Sequence, residues 1–288
     1  MENILRSTRI TLEMIKWEHS IFALPFALTG AMLAAHGWPT LKVLALILIC
    51  MVAARSAAMA FNRLVDANLD AGNPRTAMRA IPAGKLSASF VGMFTLVAAG
   101  VFVLAAALLN RLTLECAPLA LGVVFAYSYM KRVTRWSHLV LGLALGIAPA
   151  AAWIAVRGSL APRILLLTAI VILWVGGFDV LYACQDLDYD RKTGLFSVPA
   201  SYGLAAAFWI ARSMHLLMAV LLFVLLRLFG LGDIAAAGMC LVVLLLAYEH
   251  MIVSPRDLTR MNAAFFTLNG IISVVFFVSV ALDILYRR

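Results

Sequence analysis

Charged residues are scarce in this chain. Of its 288 residues only 13 % are Asp, Glu, Lys or Arg, while 64 % are hydrophobic. Average soluble domains are roughly a quarter charged and half apolar, so a soluble globular fold is excluded. Strand-like alternation is missing too: the apolar stretches run on unbroken, which excludes a transmembrane barrel. No low-complexity tract or appended soluble domain is visible. Cysteine is limited to Cys50, Cys116, Cys184 and Cys240, all in or beside apolar runs and without ligand-like pairing. They read as small buried hydrophobes. No small-residue cleavage site follows the amphipathic segment 1–19, which reads as part of the mature chain.

What the chain does contain is a succession of apolar runs of bilayer-crossing length, about 17–25 residues each. Nine spans are expected, near 20–36, 41–63, 87–109, 112–130, 137–156, 162–184, 204–228, 231–250 and 264–285. The fold class is therefore all-α, a polytopic membrane bundle of nine transmembrane helices forming one domain over 1–288. The loops 64–86, 131–136, 185–203 and 251–263 are polar, and the connections between them are brief. Placing the N-terminus and these loops on one side collects fourteen Lys and Arg there, against seven on the other, with Arg55 and Arg212 inside spans. The positive-inside rule then puts the long loops in the cytoplasm, as for a protein of the bacterial inner membrane. Topology thus accounts for most of the net charge of +9, and nucleic acid is not needed as a partner.

Acidic residues are the rarest charge, fourteen in all, and six of them fall in two short segments. Asn62-x3-Asp66-x3-Asp70 closes the second span, and Asp179-x2-Tyr182-x3-Asp186-x3-Asp190 closes the sixth. At about 100° per residue, each step of four advances only about 40°, so each set predicts one polar stripe on a helix. Asp188 falls off the stripe and reads as solvated. Both motifs lie on the cytoplasmic side about 120 residues apart, each followed by a basic loop. This is a weak internal repeat bringing two equivalent helices together. Two facing carboxylate stripes suit a divalent cation, Mg²⁺ above all, together with the phosphates it bridges.

The loop after the first motif, NPRTAMRAIPAGK, carries Arg75, Arg79 and Lys85 among turn residues. Guanidinium forks match phosphate oxygens, so Arg75 and Arg79 are candidates for folding over a diphosphate. Lys131, at the end of the fourth span beside Tyr127 and Arg132, is another. Arg55 lies seven residues before Asn62, on almost the same face but deeper. Asp179 is similarly deep in its own span, where a carboxylate is costly unless paired or functional; Arg55 and a substrate group are its candidate partners. Asn262 and Asn269 in the last span read as interhelical hydrogen-bonding groups.

Together these motifs resemble the paired signature of the UbiA superfamily of intramembrane prenyltransferases, over essentially the full chain. The stretches WEHSIFALPFAL, NPRTAMRAIPAG, YSYMKRVT and CQDLDYDRKTGLFSVPA look most like its 4-hydroxybenzoate polyprenyltransferase-like branch, although WEHS differs from the DKP-type opening of the ubiquinone enzymes. The resemblance implies transfer of a polyprenyl group from its diphosphate to a ring carbon of a hydroxylated aromatic acid in quinone biosynthesis. It implies a metal set of Asn62, Asp66, Asp70, Asp186 and Asp190, and substrate contacts from Arg55, Arg75, Arg79, Lys131 and Asn62. Asp179, Tyr182 and Arg55 would orient the acceptor or help to remove its proton. Prenylation of a dihydroxynaphthoate, in futalosine-type menaquinone synthesis, is the alternative acceptor chemistry. A cation-coupled transporter is a different class that carboxylates in a bundle also suit. Against it, both clusters sit at one membrane face and no span is broken at mid-bilayer.

Overall fold

The computed structural model describes residues 2–15 and 22–287. Residues 17–21 of the WEHS opening lie outside that range. Among the described residues there are helices and turns and no strand apart from one isolated bridge, Ser254 to Asp257. Eight helices are long and apolar enough to cross a membrane, and a ninth apolar helix is shorter.

An amphipathic helix, α1 (Glu2–Ile15), packs on α3 (Leu41–Val65). The short apolar helix is α2 (Leu24–Ala35), with Pro25 in its first turn and His36 ending it at φ 52°. At 12 residues it rises only about 18 Å, well short of a bilayer core of about 30 Å. The span expected at 20–36 is thus helical over only part of its described length. A short helix, α4 (Ala67–Gly72), follows α3. Next come α5 (Ala88–Leu109) and α6 (Arg111–Met130), whose first turns are capped by Ser87 and Asn110 side chains accepting the amides of Phe90 and Thr113. Then follow α7 (Ser137–Arg157), α8 (Leu165–Ala183), the short α9 (Leu187–Thr193), α10 (Val198–Leu228), α11 (Asp233–Ile252) and α12 (Asn269–Tyr286). Helix α10 is interrupted at Gly203, whose φ of 82° and ψ of 169° suit glycine. The longer helix beyond that break starts where the seventh span was expected.

Helix α8 is the axis of the bundle, since about two-thirds of its most apolar 18-residue stretch is buried inside the protein, against at most 44 % in the other seven helices long enough to span. It packs between α7 and α10. Trp174 lies at its centre against Phe26 of α2 and Phe178, and Phe26 stacks on Phe276 of α12. On the other side α3, α5 and α6 pack together. Helices in lipid associate through close packing rather than hydrophobic exclusion, and α7 meets α8 along small residues. A Cβ on Gly142 would stand 2.5 Å from the Ile172 carbonyl oxygen, and one on Gly146 would stand 2.9 Å from the Ile172 side chain. His138 continues the same stripe, four residues before Gly142. This close approach places it against α8.

Candidate active site

The two acidic motifs share one local geometry. Helix α3 ends at Asp66, with φ −94° and ψ 4°, and α4 begins at the next residue. Helix α8 passes through a tight turn at Cys184–Asp186 and breaks at Asp186, with φ −100° and ψ 7°, before α9. Neither motif therefore lies on one continuous helix, contrary to the stripes expected from the spacing. At the first break Arg132 takes the place of a further helical turn. Its Nη2 donates to the Val65 carbonyl at 2.9 Å and to the Asp66 carboxylate at 2.8 Å. Asn62 still reaches across, donating from Nδ2 to Asp66 at 2.8 Å. The two breaks turn Asp70 and Asp190 inward, where both are buried.

The loop after α4 joins the halves. Arg75 grips Asp186 with two donors, Nε at 2.9 Å and Nη2 at 2.5 Å, while its Nη1 donates to the Tyr182 hydroxyl at 3.2 Å. Asn73 adds a bond to Asp186 at 3.3 Å, and Tyr189 of α9 donates to the Leu69 carbonyl at 2.6 Å. Arg79 folds back onto Asp70 at 2.6 Å. Burial raises the pKa of Asp66 above the ordinary carboxylate value, with Arg132 pulling against it. Burial alone would lower the guanidinium pKa of Arg75, but the Asp186 bond and charge more than offset this and leave it raised.

Apart from Arg132, these groups line the polar end of one cavity of about 1020 Å³. All eleven candidate site residues read from the sequence line it, and Asp188 does not. Below the charged end the wall turns apolar. Alanines of α3 and α7 and residues of α6 carry it past Cys116 to Leu109, Leu160 and Leu165, at the opposite ends of the helices. Among the described residues no three His, Cys, Asp or Glu side chains converge closely enough to form a metal cluster on their own. The donor set nevertheless fits a hard cation. It is carboxylate and amide oxygen throughout, and Asp70 Oδ2 and Asp190 Oδ2 are buried with no hydrogen-bond partner.

Deeper in the cavity, Asp179 pairs with His138. His138 Nδ1 lies 2.7 Å from Asp179 Oδ2, and its Nε2 accepts the Val198 amide at 3.2 Å. Because Nε2 is the acceptor, the ring hydrogen sits on Nδ1 and is donated to Asp179. Arg55 lines the same cavity from α3. Sequence reasoning missed His138 as well as the roles of Arg132, Asn73 and Tyr189. The readable signal for His138 was its place in His138-x3-Gly142-x3-Gly146, which marks the face of α7 that meets α8.

A helical membrane bundle with two carboxylate-bearing breaks over an apolar cavity defines a class, and comparison with known proteins specifies it. Residues 23–271 match the UbiA prenyltransferase family, and the chain belongs to it. It is 32 % identical over 246 residues to 4-hydroxybenzoate octaprenyltransferase of Vibrio cholerae serotype O1, covering 84 % of this chain and 85 % of that one. The apo structure of a UbiA homolog from Aeropyrum pernix K1 superposes with a TM-score of 0.85 at 32 % identity, covering 92 % of this chain and 98 % of the other. A UbiA homolog from Archaeoglobus fulgidus bound to DMAPP and Mg²⁺ shares the fold, with a TM-score of 0.76 at 18 % identity over 95 % and 98 % of the two chains.

Proposed function

We propose that this protein transfers a polyprenyl group from polyprenyl diphosphate to a ring carbon of a 4-hydroxybenzoate-type aromatic acid, with Mg²⁺ as cofactor. The observation that carries the reading is the cavity: two carboxylate breaks with Arg75, Arg79 and Lys131 at one end, and an apolar channel running from them through the bundle. A diphosphate with a long hydrocarbon tail has that polarity. The relative named 4-hydroxybenzoate octaprenyltransferase supports the acceptor class. The excess of basic residues on the loop side supports a bacterial inner-membrane protein with its N-terminus and site loops in the cytoplasm. One prenyltransferase domain would cover residues 1–288.

Asn62, Asp66 and Asp70 from one break, and Asp186 and Asp190 from the other, would hold Mg²⁺ against the diphosphate. Bound there, the metal supplies charge neutralisation for the leaving group. Arg75, Arg79 and Lys131 add fixed positive charge to the same oxygens. Arg75 and Arg79 stand beside the carboxylates of Asp186 and Asp70, where their guanidinium forks would also meet phosphate oxygens. Arg55 suits the acceptor's carboxylate through a bidentate pair. Asp179, held by His138, would orient the acceptor hydroxyl or take the ring proton, with Tyr182 beside it. The apolar wall excludes water from the allylic carbon as its bond to oxygen loosens. The test is a panel of acceptors with one all-trans polyprenyl diphosphate and Mg²⁺ on purified protein. 4-Hydroxybenzoate should be the best acceptor, and a clear preference for a dihydroxynaphthoate would move the assignment to menaquinone synthesis.

A further inference from the structure

Asn269, the first residue of α12, has no exposed surface. Its Oδ1 accepts the Trp174 indole N–H at 2.8 Å, and its Nδ2 donates to Glu249 at 3.2 Å and to the Ala264 carbonyl at 3.1 Å. The last bond reaches back five residues. Five is the spacing of a π-turn, and Ala263–Leu268 is wound as one. Such turns are rare and costly, and they persist where something holds them.

The turn carries Phe265 and Phe266, and both line the cavity although they are adjacent in sequence. The Phe265 ring lies 4.1 Å from that of Tyr182 and 5.1 Å from that of Phe178. Phe266 lies 4.7 Å from Phe265, and Phe22 closes against both. These rings form a wall at one level of the site. Tyr182 is also the residue whose hydroxyl is bonded by Arg75, which in turn grips Asp186. The wall is therefore the seam between the charged end and the apolar channel. If the protein is a prenyltransferase, that seam is where C1 of the donor must lie, with diphosphate on one side and hydrocarbon on the other.

We propose that Phe265 and Phe266 shield this allylic carbon and face its developing charge, and that Asn269 is the positioning residue that holds them there through the π-turn. When the C1–O bond breaks, its electron pair leaves with the diphosphate. The acceptor's ring carbon then supplies the pair for the new C–C bond and loses its proton. Water reaching C1 instead gives the prenyl alcohol and releases a proton. Aromatic faces attract a cation and offer it no lone pair to bond with, so this wall favours the first outcome over the second.

The experiment measures the ratio of prenyl alcohol to prenylated acid made by purified full-length protein from radiolabelled geranylgeranyl diphosphate, 4-hydroxybenzoate and Mg²⁺. Phe265→Ala opens C1 to water and should raise the alcohol share on the order of tenfold, while the lost cation–π contact slows formation of both products alike. Asn269→Leu should raise that share similarly. Glu249→Leu removes another bond of the same buried network but spares the one to Ala264, and should leave the ratio at the wild-type value. An unchanged ratio in Phe265→Ala would overturn the shielding wall, whether or not Asn269→Leu folds. Equal changes in the Asn269 and Glu249 variants would reduce Asn269 to a helix-packing residue. A wild type that prenylates no aromatic ring would instead bring down the functional reading, and this inference with it.

Discussion

His138 offers the sharpest perturbation of the deep end of the site. Its ring has no exposed surface, donates to Asp179 at 2.7 Å and accepts the Val198 amide at 3.2 Å. Replacing it with leucine removes both bonds. A hydrogen bond to a charged group contributes roughly 1.5–3 kcal/mol, and a buried orphaned N–H costs about 1–3 kcal/mol. The leucine variant should therefore lose on the order of 4 kcal/mol of stability. Asparagine places an amide N–H close to the position of Nδ1, so it keeps the bond to Asp179 and loses only the acceptor for Val198. Glutamine reaches the position of Nε2, so it can accept from Val198 but leaves Asp179 without its donor. The assay is thermal unfolding in detergent alongside steady-state kinetics with 4-hydroxybenzoate. Asn and Gln variants should unfold at similar temperatures, yet kcat should stay near wild type in Asn and fall up to about a hundredfold in Gln, the scale of a misplaced catalytic group. Equal kcat values for the two, with all losses following stability, would refute a positioning role for His138.

Three further outcomes are expected. Asp66→Ala and Asp186→Ala should each abolish turnover while far-UV circular dichroism stays helical; normal activity at saturating Mg²⁺ would remove them from the metal set. Arg55→Lys keeps the charge and loses the fork, so the acceptor KM should rise while the donor KM and Mg²⁺ dependence stay near wild type. Equal loss with a phenol lacking the carboxylate would make Arg55 structural. Burial raises the Asp66 pKa, so the folded protein keeps this proton over a window above the ordinary carboxylate range where the unfolded chain has lost it. Stability of the metal-free protein should therefore decline as pH rises from that ordinary value to the raised one. A Tm–pH slope in that window that is unchanged in Asp66→Asn would contradict this.

Much of this architecture is legible in the residues because span length and apolar continuity are strong signals in a membrane chain. The boundaries expected for the spans containing α5, α6, α7 and α12 fall within a few residues of the helices observed. The acidic motifs are legible because carboxylates are so rare here. Their local shape is not, since D-x3-D fits an uninterrupted helix as well as a broken one. The breaks at Asp66 and Asp186 depend on tertiary contacts, among them Arg132 reaching the Val65 carbonyl. The partner of Asp179 escaped for a related reason. A lone histidine after Trp136 and Ser137 looks interfacial until the glycine stripe behind it is seen to draw α7 onto α8. Of the two asparagines in the last span, Asn269 does bridge helices, whereas Asn262 is exposed. Nothing in the letters Ala-Ala-Phe-Phe-Thr-Leu distinguishes a π-turn from an α-turn.

The central claim is that the charged break pair and the apolar channel serve one reaction, prenyl transfer to an aromatic ring. Its most direct test is mass spectrometry of the organic extract after incubating purified protein with a polyprenyl diphosphate, 4-hydroxybenzoate and Mg²⁺. The expected product has the mass of acid plus prenyl group less one hydrogen, is carbon-linked by its fragmentation, and is abolished by EDTA. An oxygen-linked ester as the sole product, or no product while the protein conducts cations across vesicles, would contradict it.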